Sequence, residues 1–342
     1  MMITQSFADA TFPRLSRRHF CLTTGAAAVA AFAMPAWPTM RQEETLKLQP
    51  LRDDVWAILG GGGNSLFIKS ADGPIVIDTK VGPMGRPFAD VVRTLTADTG
   101  LTGAPLTIIN THHHGDHIGG NFAFTGTSAH PTIVGHRNLT PRVADTVDSR
   151  IRPAMLGEAR GLSNNADRAT LINDIETWTD RRFAPTTTYE TRLSLDRDDL
   201  HIDLHHICNG HTDNDSVVHL TKQNVVHLGD LLFNELHPFI DRPAGANTVS
   251  WSTFLERAMD LCDDQTIVVP GHGDITDRTA IPKMVEYFRQ LRDVVATERA
   301  RGASRDAVTE LMPACFAGRG FEQLQPRCLG AMYDELDAEA DS

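Results

Sequence analysis

An apolar run at residues 106–110 passes directly into Thr111, His112, His113, His114, Gly115, Asp116 and His117, and that junction limits the folds open to the chain. Three neighbouring imidazoles and a carboxylate are too polar to bury unless they are hydrogen-bonded or hold a cation. They call for a strand end opening on a cleft, where loop backbone can turn adjacent side chains towards one point. The pattern recurs further on. His211 lies in Gly210-His211-Thr212, Asp230 in Leu228-Gly229-Asp230, and His272 in Pro270-Gly271-His272-Gly273; each follows an apolar run, and each has a preceding glycine that permits close backbone approach. The 15 histidines exceed what packing needs, and this spacing accounts for part of the excess.

Around these clusters, runs at residues 55–59, 66–69 and 75–78 read as a meander of short strands, separated by Gly60 to Gly63 and by Asp72-Gly73. The glycine run is no phosphate cradle, because no Lys-Ser/Thr pair follows it. Phe88, Val91, Val92 and Leu95 recur at helical spacing, and Gly100 sits where that helix would stop. Further strands are expected at 200–207, 217–220, 224–228 and 266–269, with helices at 250–261, after Pro282 and at 304–312. Residues 137–192 read as a polar excursion of helix and loop. Two groups of strands flanked by helices predict an α/β fold with two sheets packed face to face and helices on both outsides. The expected division is a signal segment at 1–33, a linker at 34–50, a catalytic domain at 51–280 and a C-terminal helical extension at 281–342.

The segment His112-x-His114-x-Asp116-His117, followed in order by Gly-His211-Thr, Gly-Asp230 and Gly-His272, resembles the metallo-β-lactamase superfamily over about residues 55–274. The resemblance implies an αββα sandwich of two mixed sheets with metals at one sheet edge. It implies that His112, His114 and His211 hold a first ion, that Asp116, His117 and His272 hold a second, and that Asp230 bridges them. Asp116 and Asp230 are then the carboxylates nearest the chemistry. Two Zn²⁺ per chain suit imidazole and carboxylate donors, with Fe and Mn as other occupants. Two ions ~3.5–4 Å apart can hold a hydroxide at neutral pH. The expected reaction is therefore attack on an ester, thioester, lactone or lactam carbonyl of a small-molecule substrate, with no Ser or Cys nucleophile. A bridging aspartate sets the chain nearer to glyoxalase II, the lactonases and the phosphodiesterases than to the antibiotic-hydrolysing members. Two other readings use the same residues: a mononuclear iron dioxygenase of the persulfide type, and a periplasmic relay or binding protein without turnover.

Ser16, Arg17, Arg18 and Phe20 precede an Ala-rich run at residues 22–33. The run is too short for a bilayer span, which takes ~20 apolar residues. It is similar to a twin-arginine export signal, with cleavage after Ala33 and Ala36 as a second choice, and it implies the export machinery as partner and the periplasm as destination. Removing residues 1–33 takes away three Arg and one Asp, leaving 309 of 342 residues and moving the net charge from -12 to -14. So acidic a chain suits neither nucleic acid, which needs clustered Lys and Arg, nor an anionic membrane surface, and no basic cluster is evident that would grip glutathione. Cys21 leaves with the signal; Cys315 and Cys328 are close enough to pair in an oxidising compartment, or to remain buried thiols.

Asp78 is expected either to accept a ligand's second N–H or simply to end its strand in a turn. His113 should point away from the ligands on either side, into a groove or into solvent. His201 and His205 alternate with Ile202 and Leu204 and are expected on a solvated strand face; His206 and His227 are expected as hydrogen-bonded core residues. His237 and Phe239 either wall the pocket or pack a loop.

Overall fold

The structure is a computed structural model that describes residues 45–125, 130–197 and 200–340. The signal segment, its cleavage sites and Cys21 lie outside the described residues. Seven strands form one sheet in sequence order: β1 (Lys47–Arg52), β2 (Val55–Leu59), β3 (Ser65–Ile68), β4 (Ile75–Ile77), β5 (Thr107–Ile109), β6 (Thr132–His136) and β7 (Thr187–Tyr189). Pairing is antiparallel as far as β4 and parallel from β4 to β7. The second sheet runs β12 (Ile267–His272), β11 (Val225–Phe233), β10 (Val217–Leu220), β9 (Leu200–His205), β8 (Arg192–Arg197), with only β11 and β12 parallel.

Side-chain alternation explains why the two sheets stack. Ile75 and Ile77 turn inward and join Val55, Ala57, Leu66 and Ile68 against Ile202, Leu204, Val218 and Leu220 of the other sheet. Val76, between them, turns outward with Phe67 and Ile108, where α1 (Gly85–Asp98) covers them with Phe88, Val91, Val92 and Leu95. The helices that follow are α2 (Gly115–Ile118), α3 (Phe122–Thr125), α4 (Leu139–Thr146), α5 (Arg152–Arg160), α6 (Asn165–Glu176), α7 (Thr248–Met259), α8 (Ala280–Ala300), α9 (Arg305–Thr309) and α10 (Gln325–Ala340). The outer face of the second sheet, including Val217, Val226, Leu228 and Val268, is buried under α7, α8 and α10. Two packed mixed sheets with helices on both outsides are the α/β sandwich expected from the sequence.

Several boundaries differ from those expectations. β1 begins at Lys47, inside the stretch taken as linker, and β6 supplies a central parallel strand between residues that punctuate it poorly. Residues 137–192 are largely ordered structure: α4, one π-turn (Val147–Ile151), α5 and α6 close a cluster of Leu139, Val143, Ile151, Met155, Trp178 and Phe183 over Ile118 and Phe122. The C-terminal helices are no separate unit, since Met284, Tyr287, Phe288, Leu291, Leu329 and Met332 share one core with β11 and α7. Glu335, 1% exposed, clamps α10 to the start of α7, where the Thr248 backbone N–H (3.1 Å) and hydroxyl (2.7 Å) donate to it and Arg242 lies 3.3 Å away. Cys315 is exposed and Cys328 is buried with its thiol 3.0 Å from the Pro238 carbonyl; both are free thiols. No helix among the described residues is long and apolar enough to cross a membrane.

Candidate metal centre

The parallel pair β4 and β5 of one sheet meets the parallel pair β11 and β12 of the other at their C-terminal edges. Asn64 fastens them there: its backbone N–H donates to Gly271 O (2.7 Å), and its amide donates to Pro270 O (3.0 Å) and Gly273 O (2.8 Å). Past β5 the chain bends through Thr111, His112 and His113, and His112 and His114 turn towards His211 and Asp230 while His113 turns towards Asn214. The one-turn helix α2 then brings round Asp116 and His117. His211 comes from the β9–β10 loop, and His272 ends β12. Asp230 lies inside β11, which runs further than its apolar run suggested and shifts register against β12 at Gly229.

All seven expected ligands come together in two adjoining groups. In the first, His114 Nδ1 lies 3.1 Å from His112 Nε2 and 2.9 Å from His211 Nε2. In the second, Asp116 Oδ2 lies 3.1 Å from His272 Nε2 and 3.7 Å from His117 Nε2. Asp230 stands between them. Its Oδ2 faces His211 Nε2 (3.4 Å) and His112 Nε2 (3.7 Å), while its Oδ1 faces His117 Nε2 (3.0 Å) and His272 Nε2 (3.4 Å).

The electrostatics divide along the same line. Burial, reinforced by His117, holds His112 well below the usual imidazole range, and burial brings His211 down to about 3, so both are neutral and ready to ligate. In the second group burial opposes charge, yet Asp230 and Asp116 outweigh it and push His272 up to about 9; His117 is raised in the same way. Two buried carboxylates thus demand positive charge. Asp116 Oδ2, His117 Nε2 and Asp230 Oδ1 are buried without a hydrogen bond, although they converge. An unmet buried polar atom costs ~1–3 kcal/mol, and a cation held where the three converge would offset that cost. The donors, imidazole and carboxylate without thiolate, fit Zn²⁺ and similar divalent ions.

A family model described as the metallo-beta-lactamase superfamily matches residues 58–272, well over half of the chain, and spans every residue of this cluster. The chain belongs to the metallo-beta-lactamase superfamily. Among solved structures it is similar to a metallo-beta-lactamase from Pontibacter korlensis, at 17% identity and a TM-score of 0.52 over 72% of this chain and 99% of that one. It is also similar to the DIM-1 metallo-beta-lactamase, at 16% identity and a TM-score of 0.50 over 72% and 97%. Superfamily membership with two buried His/Asp groups makes the protein, at that level, a metal-dependent hydrolase.

Around the ligands of this metallo-beta-lactamase relative lies a layer of carboxylates that sets ring orientation. Asp78, fully buried, accepts from His117 Nδ1 (2.7 Å), from the Thr111 hydroxyl (2.7 Å) and from the Thr111 backbone N–H (2.8 Å). The same hydroxyl lies 3.0 Å from His112 Nδ1, so one carboxylate steadies a ring in each group. Asp241, which the sequence reading missed, does this for His114, 2.8 Å from its Nε2. An isolated Asp ahead of Arg242-Pro243 carries no spacing signal. Phe239 packs edge-on to His114 (5.6 Å between centroids) and His211 (6.3 Å), against the first ligand group. His237 instead packs a loop, buried with Nδ1 2.8 Å from the Tyr287 hydroxyl.

His113 is buried, not solvated, and meets Asn214 at 3.0–3.3 Å. His227 bonds Asn64 O through Nε2 (3.0 Å) and the Gly229 N–H through Nδ1 (3.0 Å), as a core histidine does; His206 is part-buried, 2.8 Å from Asp215 O. His201 is part-exposed and paired with Asp196, whereas Nε2 of His205 is buried and unpartnered rather than solvated.

Gly271 shows why a glycine precedes His272. A Cβ there would lie 2.0 Å from Asp230 Oδ1 and 2.6 Å from the Gly229 carbonyl carbon. Gly271→Ala is expected to push Asp230 off the second group, cost ~2–4 kcal/mol of stability through overpacking, and weaken the second of two binding phases in a zinc titration. An unchanged titration and melting curve would remove Gly271 from the design of the site.

Proposed function

We propose that the protein is an exported dinuclear zinc hydrolase that cleaves an ester, thioester, lactone or lactam carbonyl. The observation that carries this reading is the two-faced Asp230 carboxylate, one oxygen towards each group. In it His112, His114 and His211 hold one ion, Asp116, His117 and His272 hold the other, and Asp230 is shared, a ligand set like that of glyoxalase II. Bound there, two divalent ions supply Lewis acidity for the carbonyl and lower the pKa of water towards ~7.

The chain's own residues do the remainder. Burial keeps His112 and His211 as neutral donors. Asp78 and Asp241 accept the outer ring N–H groups and fix which nitrogen of His117 and of His114 faces inward. Asp116 and Asp230 place negative charge where cations collect, and their nearness to His117 and His272 keeps both carboxylates ionised. The buried floor of Phe233, stacked on His272 at 5.1 Å, and Trp251 against His211 keep bulk water from behind the ligands. A single-iron dioxygenase would leave Asp116 and His272 without a task, which favours hydrolysis.

Purified protein assayed on a panel of lactones, thioesters, aryl esters, phosphodiesters and β-lactams should open at least one carbonyl substrate, lose that activity to a chelator and regain it with zinc. Oxygen consumption with a persulfide, and no hydrolysis, would replace this reading with the dioxygenase. Export rests on Arg17 and Arg18 ahead of the Ala-rich run. Changing both to Lys should retain the protein in the cytoplasm in a fractionation experiment, and unimpaired export would sink the twin-arginine assignment.

A further inference from the structure

We propose that His113, His114 and Asp241 form a third divalent-metal site at the mouth of the centre, weaker than the other two, and that zinc bound there inhibits hydrolysis. The inference rests on the dinuclear reading, because it needs His114 to serve the first ion through one ring nitrogen and the third through the other. One donor atom from each of the three residues lies within 4.8 Å of the other two, the closeness that also gathers the two ligand groups. His113, which takes no part in either of those groups, thereby acquires a partner set of its own.

His114 faces two ways. Its Nδ1 meets His112 Nε2 (3.1 Å) and His211 Nε2 (2.9 Å), while its Nε2 lies 2.8 Å from Asp241 Oδ2. The His113 ring is close by, 4.6 Å from that of His114 between centroids, and Asn214 braces it at Nδ1 (3.0–3.3 Å). Asp241 is held as well: it caps the short turn Arg242–Ala244, and its Oδ1 accepts from the Ala244 backbone N–H (3.3 Å) while Oδ2 turns to His114. Two imidazoles and a carboxylate, with water completing the shell, are a donor set for Zn²⁺.

The other ring-orienting carboxylate offers no such site. Asp78 holds His117 Nδ1 from a fully buried position, and among the described residues no further His, Cys, Asp or Glu completes a group around it. His114 and Asp241 are reached by solvent, their side chains 13% and 19% exposed, against 1%, 0% and 2% for His112, His211 and Asp230. An ion can therefore arrive and leave there without disturbing the buried ligands. Its binding displaces the His114 Nε2 proton to water, and the carboxylate that accepted that N–H binds the cation in its place; no electrons change hands. Repulsion from the first ion across the shared ring makes this the weakest of the three steps. The added ion covers the solvent-reached edge of the first group, which is why its arrival inhibits.

Zinc itself is the probe. Zinc-loaded protein dialysed against rising free zinc, with bound metal measured at each step and hydrolysis assayed in the same samples, should climb from about two ions per chain to about three and lose activity as the third fills. His113→Gln keeps an amide beside Asn214, and Asp241→Asn keeps an acceptor for the His114 N–H. Each should weaken the third step ~10–100-fold, and inhibition by excess zinc should move to higher zinc in parallel. His201→Gln, which removes a part-exposed histidine of β9, should leave both curves unchanged and controls for zinc taken up elsewhere on the surface. A third ion bound as tightly in both variants as in wild type, no uptake beyond the second ion, or inhibition that persists unshifted in both variants would overturn the site while leaving the dinuclear reading standing. Wild type that stops at one ion contradicts the dinuclear reading and the third site with it.

Discussion

Asp230→Ala is expected to abolish hydrolysis to within the limits of most assays, a loss of about 10³-fold or more, and to lower the occupancy of the second metal position in the same samples. Asp230 faces the ligating atoms of both groups, with Oδ2 3.4 Å from His211 Nε2 and Oδ1 3.0 Å from His117 Nε2. On the proposed dinuclear reading its removal would take away a ligand of each ion and the negative charge that holds two cations close, and such a loss of transition-state stabilisation amounts to roughly 4 kcal/mol. Burial alone would raise the Asp230 carboxyl; His117 and His272 reverse that and hold it well below the usual carboxylate range, so it is ionised wherever the fold persists. Full activity with two ions retained would contradict the bridging role.

Asp78→Asn should be the most damaging change outside the ligand set. Asp78 accepts three hydrogen bonds from a fully buried position, from His117 and twice from Thr111. Its backbone is left-handed, at φ 57, a region Asn tolerates nearly as well as Asp, so the substitution adds little strain and isolates the loss of charge. One amide donor would then face a donor, at ~2–4 kcal/mol for a buried mismatch. Freed of its acceptor, His117 loses its fixed tautomer, and zinc affinity at the second position should fall ~10–100-fold. Chemical denaturation and a zinc titration read the two effects separately; an unperturbed titration would reduce Asp78 to a strand-end turn former.

The sequence made the ligands legible because each of the four clusters that carry them holds a glycine and follows an apolar run, a pattern with few rival explanations. Inward and outward faces were readable for the same reason, since the alternation of Ile75, Val76 and Ile77 is short but clean. What escaped notice lacked local pattern. Asp241 orients His114 across 127 positions of sequence, and Thr111 looks like any residue leaving a strand. His113 reads equally as a groove or a solvated residue until Asn214, 101 positions away, meets it. β6 was obscured because its apolar part is only Ile133 and Val134, set between Thr132 and Gly135-His136. Arg327 and Phe239 meet only through the packing of α10 against a distant loop, so the C-terminal segment read as an extension although it borders the site.

Metal stoichiometry addresses the central claim most directly. Protein purified from cells grown with adequate zinc, freed of loosely bound ions and measured by elemental analysis, should contain about two divalent ions per chain, mainly zinc. Asp230→Ala and His272→Ala should each fall towards one. A single iron per chain in the wild type, or one ion that does not rise to two at saturating zinc, would contradict a dinuclear hydrolase.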